Sequence, residues 1–409
     1  MAKHIIDEAK RCLNCKKPQC RMACPISTDV PGFIQKFLNG DIVEAGKDLF
    51  ENNPLSVICS IVCPHEEQCE GGCILGRKGK PVRIGSIENY ISDYYLNINS
   101  HDVIEKKPGR VAIIGSGPAG LAAAFILARK GYKVTIFESE EKIGGVLRYG
   151  IPEFRLSNDI LDTLHEKLIN LGVKIRPNTL IGPVITIDML FRDEYDVIFI
   201  ATGVWNPNPL NVKGESLGHI HYAISYLKNP DAFNLGEKVV VIGGGNTAID
   251  VARTAARKGA KNVTILYRRM EEHLPATKSE IEIAKLDGVK FEFLSSPIEF
   301  MDDKIKCIKN EIVDGRVVHL EGREFFVEAD SVLIAISQSA RTNIVSTTEG
   351  IELNEKGLLQ TDENGMTTRP GVFGAGDVVT GAQTVVKAVN YTKKVCDSIE
   401  KYIDAKYAE

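Results

Sequence analysis

The stretch from residue 111 to residue 138 restricts the fold more than any other part of the chain. It reads Val111-Ala-Ile-Ile-Gly115-Ser-Gly117-Pro118-Ala119-Gly120, then an apolar-periodic helix, then Val134-Thr-Ile-Phe-Glu138. A short apolar run ahead of a glycine-rich turn and a helix is the pattern of a strand buried in a parallel sheet. In a G-x-G-x-x-G turn the first glycine permits the tight reversal, and the second lets backbone amides approach a pyrophosphate. The third lets helix and strand pack closely, while the helix N-terminus faces the phosphate charge. Glu138, 18 residues beyond Gly120, stands where a carboxylate accepts hydrogen bonds from an adenosine ribose. The glycines alone are a weak signal. Strand, helix, second strand and terminal acid together define a dinucleotide-binding unit.

A second copy opens 128 residues after Gly115. Val239-Val-Val-Ile leads into Gly243-Gly-Gly245-Asn246-Thr247-Ala248, a helix to about residue 258 and a strand over 262–267. The third glycine is here an alanine, an accepted variant. This strand ends in Tyr267-Arg268-Arg269 where an NAD site would carry an acid. Guanidiniums match a 2′-phosphate and offer no acceptor to a 2′-hydroxyl, which favours NADPH over NADH; the alternative is a solvated charged turn. Further on, Ala375-Gly376-Asp377 precedes a helix expected over 383–403. Its backbone can approach a flavin while Asp377 accepts from the ribityl chain. The helix start at Thr384-Val-Val386 points its dipole at the pyrimidine edge. The expectation is one nucleotide fold split by insertion of the other, with FAD in the first and NADPH in the second. Strands are expected over 173–175, 197–201, 291–293, 305–313, 317–320 and 331–336, with a helix over 158–171.

Cysteine usage sets the N-terminal part apart. Eight of the ten cysteines lie between residues 12 and 73, in the runs Cys12-x2-Cys15-x4-Cys20-x3-Cys24-Pro25 and Cys59-x3-Cys63-Pro64-x4-Cys69-x3-Cys73. The N-terminus lacks the apolar core of a signal peptide and no apolar run has the length of a membrane span, so a cytosolic chain with reduced thiols is expected. Thiols at these spacings, followed by proline, resemble a bacterial ferredoxin run and point to iron–sulfur ligation; zinc and free thiols are the alternatives. Helices are expected over 7–13, 30–39, 41–50 and 84–97, with cysteine-bearing loops between them and a linker over 101–108. Their apolar core is thin, which bound clusters would offset. Cys307 and Cys396 stand alone and are read as packing residues. Neither nucleotide fold holds a C-x-x-C, which argues against a thioredoxin-reductase-like disulfide relay. A net charge of −4 and a pI near 6.1 give no overall field for nucleic acid or anionic membrane. The expected fold is α/β. A helical iron–sulfur domain over 1–105 precedes a FAD-binding domain over 106–215 and 336–409, and an NADPH-binding domain over 216–335 is inserted in it.

With both cysteine runs, both fingerprints and Ala375-Gly-Asp377 in order, the whole chain resembles the small (β) subunit of glutamate synthase. It is similar too to the N-terminal part and bacterial flavin subunit of dihydropyrimidine dehydrogenase, and to the large subunit of bifurcating ferredoxin:NADP oxidoreductases. Asn53-Pro-Leu with Cys59 and Cys63-Pro64, then Cys69-Glu-Gly-Gly-Cys73, match the family's second cysteine run. Gly144-Gly145, Gly150-Ile-Pro152 and Phe154-Arg155-Leu156 match its flavin loop, and Tyr267-Arg-Arg269 with Leu274-Pro-Ala276 its NADPH loop. The resemblance implies two Rossmann-like domains in a glutathione-reductase-like arrangement, FAD contacts from Gly145, Val146 and Arg155, and two 4Fe–4S clusters. It assigns Cys12, Cys15, Cys20 and Cys73 to one cluster, and Cys24, Cys63, Cys69 and Glu88 to the other; Cys59 in place of Glu88 is the rival assignment. It implies an electron-input subunit that passes electrons from NADPH through FAD and the clusters to a catalytic partner subunit. That partner would be of the glutamate synthase or dihydropyrimidine dehydrogenase type. Other readings are a bifurcating transhydrogenase and, in a different class, a redox sensor without turnover. Hydride transfer rests on alignment, so no acid–base residue is assigned.

Overall fold

The structure is a computed structural model that describes residues 2–98 and 104–408; of the expected linker, residues 101–103 lie outside the described residues. The N-terminal part is helical, with α1 (Ala2–Ala9), α2 (Gln19–Ala23), α3 (Val30–Leu38), α4 (Ile42–Asn52), α5 (Ser56–Val62) and α6 (Ile84–Leu96). Apolar residues at helical spacing build its core: Val30, Phe33 and Ile34 of α3, Ala45 and Leu49 of α4, and Ile84, Ile87 and Ile91 of α6. Cys69 belongs to that core, and Cys12, Cys20 and Cys73 pack against it. Helix α1 ends earlier than expected: the Arg11 and Cys12 amides bond only three residues back, to the Glu8 and Ala9 carbonyls, and close the helix in a tighter turn. The segment carrying Cys59 was expected as a loop and is helix α5. Residues 56–60 are all buried, so no polar stripe gives the helix a readable period.

The chain then forms β1 (Arg110–Ile114), α7 (Pro118–Arg129), β2 (Lys133–Phe137), α8 (Val146–Tyr149), α9 (Asn158–Asn170), β3 (Lys174–Arg176), α10 (Ile187–Arg192) and β4 (Val197–Ile200). There it leaves the first fold for β5 (Asn206–Pro207), β6 (Ile220–Tyr222), α11 (Ala223–Lys228), β7 (Lys238–Ile242), α12 (Asn246–Arg257), β8 (Asn262–Leu266), α13 (Lys278–Leu286) and β9 (Lys290–Glu292). Next come β10 (Ser295–Phe300), β11 (Lys304–Val313), β12 (Arg316–Glu328), β13 (Ser331–Ile334) and β14 (Gln338–Ser339). The chain returns through β15 (Val372–Gly374), α14 (Asp377–Thr380) and α15 (Val385–Ala408). Two parallel five-stranded sheets result, ordered β15-β4-β1-β2-β3 and β6-β13-β7-β8-β9, with an antiparallel β10-β11-β12 meander. In each sheet the order reverses beside the fingerprint strand, and ligands of such sheets bind at the carboxyl ends of the strands at that point.

Two compact units form. One comprises residues 1–148, 153–204 and 340–409, the other 149–152 and 205–339. The cysteine-bearing helices therefore cluster with the first nucleotide fold. Phe50 of α4 meets Phe125 of α7 edge to face at 5.4 Å, and the Lys393 ammonium of α15 donates to the Asn52 carbonyl at 2.6 Å. Residues 205–215, read from sequence with the first fold, cluster with the second, because β5 pairs with β14 and the Lys213 carbonyl accepts from the Phe300 amide. No helix among the described residues is long and apolar enough to cross a membrane.

Candidate cofactor sites

The turn between β1 and α7 is shaped by what its glycines exclude. Gly115 has a φ of 96°, and a Cβ there would lie 2.6 Å from the Ala201 carbonyl oxygen. A Cβ on Gly120 would lie 2.0 Å from the Gly115 carbonyl oxygen, whereas one on Gly117 would meet no atom within 4 Å. The outer glycines thus serve the protein's own packing, and the middle one faces open space, as the approach of a phosphate requires. Pro118 opens α7 at its first position and Ala119 and Gly120 are buried in its first turn.

Glu138 is buried at the tip of β2, and each carboxylate oxygen is anchored. The Ser116 amide donates to Oε2 at 2.9 Å, joined by the Ser116 hydroxyl, and the Glu140 amide donates to Oε1 at 2.9 Å. Ser116 is a residue that sequence reasoning missed; as a variable position between two glycines it carried no signal of its own. Its carbonyl also accepts from the Gly144 amide at 3.1 Å, which draws in the next loop. There a Cβ on Gly145 would lie 2.7 Å from Gly117 Cα, so Gly145 and the neighbouring Val146 stand at the turn. Arg155 lies half-buried in the segment preceding α9.

The returning chain reaches the same turn. Gly376 has a φ of 77°, and its Cβ would lie 2.8 Å from that of Ala119. Asp377 accepts from the Gln383 amide at 3.1 Å, and burial lifts its carboxyl to about 6. Thr384 precedes α15 with a buried hydroxyl that has no hydrogen-bond partner among the described residues. Gly115, Gly117, Gly120, Glu138, Gly145 and Gly376 thus meet at one turn, with Asp377 beside it and Thr384 at the start of α15. The arrangement fits a flavin dinucleotide.

The second fold repeats the logic. Gly243 has a φ of 143° and its Cβ would lie 2.3 Å from the Ala335 carbonyl oxygen, Gly245 faces open space, and Ala248 is buried. Asn246 and Thr247 open α12, with the Asn246 side chain accepting from the Thr277 amide. A Cβ on Gly244 would lie 2.6 Å from the Tyr267 ring and 2.7 Å from Leu274, so the arginine-bearing turn and the 274–276 loop meet at this glycine. Arg268 is exposed and Arg269 half-buried, and neither is in an ion pair among the described residues.

All ten cysteines are free thiols. Cys12, Cys15, Cys20 and Cys73 line one cavity of about 80 Å³ together with Leu13, Lys17 and Ile74. Burial raises the Cys12 thiol and lifts Cys20 to about 11, with Cys73 and the other thiols of the group adding like-charge repulsion. Cys24, Cys59, Cys63, Cys69 and Glu88 form a second group. A hydrogen bond to Cys59, then burial, raises Cys63; burial, then Glu88, raises Cys69, with Cys24 contributing. Glu88 is 8% exposed, and burial lifts its carboxyl to about 8. Among the described residues no three such side chains close on a point as they would round one ion. In Cys12, Cys20, Cys63, Cys69 and Glu88 burial opposes ionisation, and a bound metal would offset that, since it deprotonates a coordinating thiol outright. The donor set fits iron–sulfur clusters. Outside these groups Cys307 and Cys396 are wholly buried, and burial raises both thiols.

Comparison with known proteins agrees with this chemistry. Residues 109–391 match the pyridine nucleotide-disulphide oxidoreductase family, and residues 1–100 match dihydropyrimidine dehydrogenase domain II, with its 4Fe–4S cluster. The chain is 35% identical over 427 residues to the glutamate synthase [NADPH] small chain of Halomonas elongata, covering 97% of this chain and 90% of that one. It is 32% identical over 405 residues to the NAD-dependent dihydropyrimidine dehydrogenase subunit PreT of Escherichia coli, covering 98% and 94%. Among solved structures, Mycobacterium tuberculosis FprA in complex with NADPH shares the fold at a TM-score of 0.62 and 21% identity, over 74% of this chain and 86% of that one. The chain belongs to the glutamate synthase small-chain family of pyridine nucleotide-disulphide oxidoreductases, as an NAD(P)H-dependent FAD/iron–sulfur oxidoreductase.

Proposed function

We propose that this chain is the electron-input subunit of a larger oxidoreductase, taking electrons from NADPH and delivering them to a catalytic partner subunit. The observation that carries the reading is the gathering of two cysteine groups in the same compact unit as the flavin-type turn. FAD, when bound, supplies the conversion of a hydride pair into single electrons, and two 4Fe–4S clusters supply their onward conduction. The chain's own part is to hold and align. Gly117 and the N-terminus of α7 receive the FAD pyrophosphate, Glu138 the ribose and Asp377 the ribityl hydroxyls, while Val146, Arg155 and Thr384 border the ring. Gly245, Asn246, Thr247 and the start of α12 receive the NADPH pyrophosphate, with Arg268 and Arg269 on the 2′-phosphate. Cys12, Cys15, Cys20 and Cys73 hold one cluster; Cys24, Cys63, Cys69 and Glu88 hold the other.

Two relatives support a partner: a small chain of glutamate synthase, and the NADP(+)-dependent formate dehydrogenase subunit beta of Moorella thermoacetica, 34% identical over 426 residues. We assign the partner to the synthase or dehydrogenase class. Analysis of anaerobically purified protein should give about eight irons and one flavin per chain, and steady NADPH-driven reduction of ferricyanide. Zinc without iron would overturn the cluster assignment, and flavin reduction without turnover would identify a sensor.

Arg268→Glu should weaken NADPH by about 10- to 100-fold, the worth of a charge-assisted phosphate contact, and change NADH little. Steady-state kinetics with both nucleotides checks this; an unchanged preference would mean that the 2′-phosphate sits elsewhere.

A further inference from the structure

The cavity holding Cys12, Cys15, Cys20 and Cys73 opens beside a distinctive surface. Its lining comes mainly from two stretches, residues 9–28 and 71–83, with Val30, Pro31, Ile34 and Ile84; the two stretches contain nine lysines and arginines and no aspartate or glutamate, while Glu8 and Asp29 at their borders pair with Arg11 and Arg21. The chain as a whole carries 50 basic and 54 acidic residues, so everything outside these stretches sums to −13, from 41 basic and 54 acidic. The basic residues are therefore concentrated against the overall balance. Lys10, Lys16, Lys17, Arg21, Arg77, Lys78, Lys80 and Arg83 are exposed. The guanidinium of the ninth, Arg11, donates to the Lys80 and Pro81 carbonyls, which binds the two stretches side by side. Lys16, Lys17, Lys78 and Lys80 are in no ion pair among the described residues. Within this basic field stand exposed apolar side chains: Leu13 at 61%, Met22 at 73% and Ile74 at 44%, of which Leu13 and Ile74 line the cavity itself.

An apolar centre within a charged rim is the anatomy of a protein–protein interface, and a rim of one sign selects a partner of the other sign and speeds its arrival. We infer that the basic rim around this cavity is the docking surface for an acidic electron-carrier protein or domain, with Leu13, Met22 and Ile74 at its centre. The Cys12–Cys15–Cys20–Cys73 group is then the one through which electrons leave. A nucleic-acid duplex presents phosphates with no apolar face to cover three bulky side chains, and the patch encloses the opening to redox-capable thiols. Both features favour an electron-carrier protein. This inference rests on the electron-input reading above.

The test uses the full chain, purified anaerobically with its flavin and iron, and a fluorescently labelled small acidic ferredoxin as probe. Anisotropy should report binding that weakens with added salt. The variant Lys16→Glu/Lys78→Glu/Lys80→Glu should weaken it by about tenfold or more. Lys356→Glu, an exposed lysine outside the two stretches, should leave it unchanged, and both variants should keep the parent's NADPH–ferricyanide activity. Absent ferredoxin binding, or equal binding by the parent and the triple variant, in an iron-loaded and ferricyanide-active chain would overturn the docking surface while leaving the electron-input reading intact. Equally tight, charge-dependent binding of a short DNA duplex or of anionic phospholipid vesicles would overturn the choice of an electron carrier. A parent chain without iron, or without NADPH-driven ferricyanide reduction, would overturn both readings.

Discussion

Gly117→Ala should fold at least as stably as the parent and lose its flavin, whereas Gly120→Ala should lose the fold itself. The two positions lie three residues apart in one motif, and a methyl group meets opposite surroundings at each. At Gly117 the φ of −69° suits alanine and nothing lies within 4 Å, so the protein tolerates the added carbon. The smaller entropy of the unfolded chain even adds about 0.4–1 kcal/mol of stability. The same carbon occupies the space through which a pyrophosphate reaches the backbone amides. At Gly120 it would stand 2.0 Å from the Gly115 carbonyl oxygen and 3.0 Å from its carbon, in a residue whose amide is held by the Phe137 carbonyl at 2.8 Å. Overpacking that side chains can absorb costs about 1–3 kcal/mol, and a clash with fixed backbone costs more. Thermal denaturation and flavin absorbance of the purified variants separate the outcomes. Flavin retained at the parent's level by Gly117→Ala would show that the pyrophosphate does not cross this turn.

Glu88→Ala should bring the iron content from about eight per chain to about four, and Cys59→Ser should leave it at about eight. Both residues stand beside Cys63, so proximity does not choose between them. Their surroundings do. Among the described residues no hydrogen bond or ion pair engages the Glu88 carboxyl, although it is buried in the α6 core, whereas Cys59 is already hydrogen-bonded with Cys63. A carboxylate enclosed without a partner is costly, and coordination to iron is what would stabilise it there. Iron analysis with circular dichroism as a check on folding decides the matter. Four irons in Cys59→Ser beside eight in Glu88→Ala would exchange their roles.

What the sequence discloses depends on how local the constraint is. Both glycine turns were legible because each glycine answers to atoms within a few residues or on the adjacent strand. The division of eight thiols into two groups was not legible from spacing. Cys73 joins Cys12, Cys15 and Cys20 only because α3 and α6 pack together and carry the two runs to one place. Resemblance to a family supplied that division; periodicity did not. Strand β12 extends through residue 328, well beyond the expected 317–320, because Glu321-Gly-Arg-Glu324 breaks the alternation that marks a strand. A register shift opposite, between Ile308 and Asn310, together with a φ of 74° at Gly322, lets the strand bend and continue. Helix α15 continues to Ala408 past the expected 403, its last residues exposed and so without an apolar period to mark them.

The short pair β5–β14 has a bearing on descent. The chain enters and leaves the inserted unit at adjacent points, with the Trp205 amide donating to the Ser339 carbonyl at 3.1 Å, and the strands flanking the insertion, β4 and β15, are themselves paired. Apart from residues 149–152, that unit is one contiguous length of sequence, 205–339, whose two ends adjoin. Recombination can replace it whole without redrawing the host sheet. The turn at Gly243 and the arginines Arg268 and Arg269 both lie within that length, so an exchange of it moves them together and leaves the β15-β4-β1-β2-β3 sheet and the cysteine-bearing helices as they were.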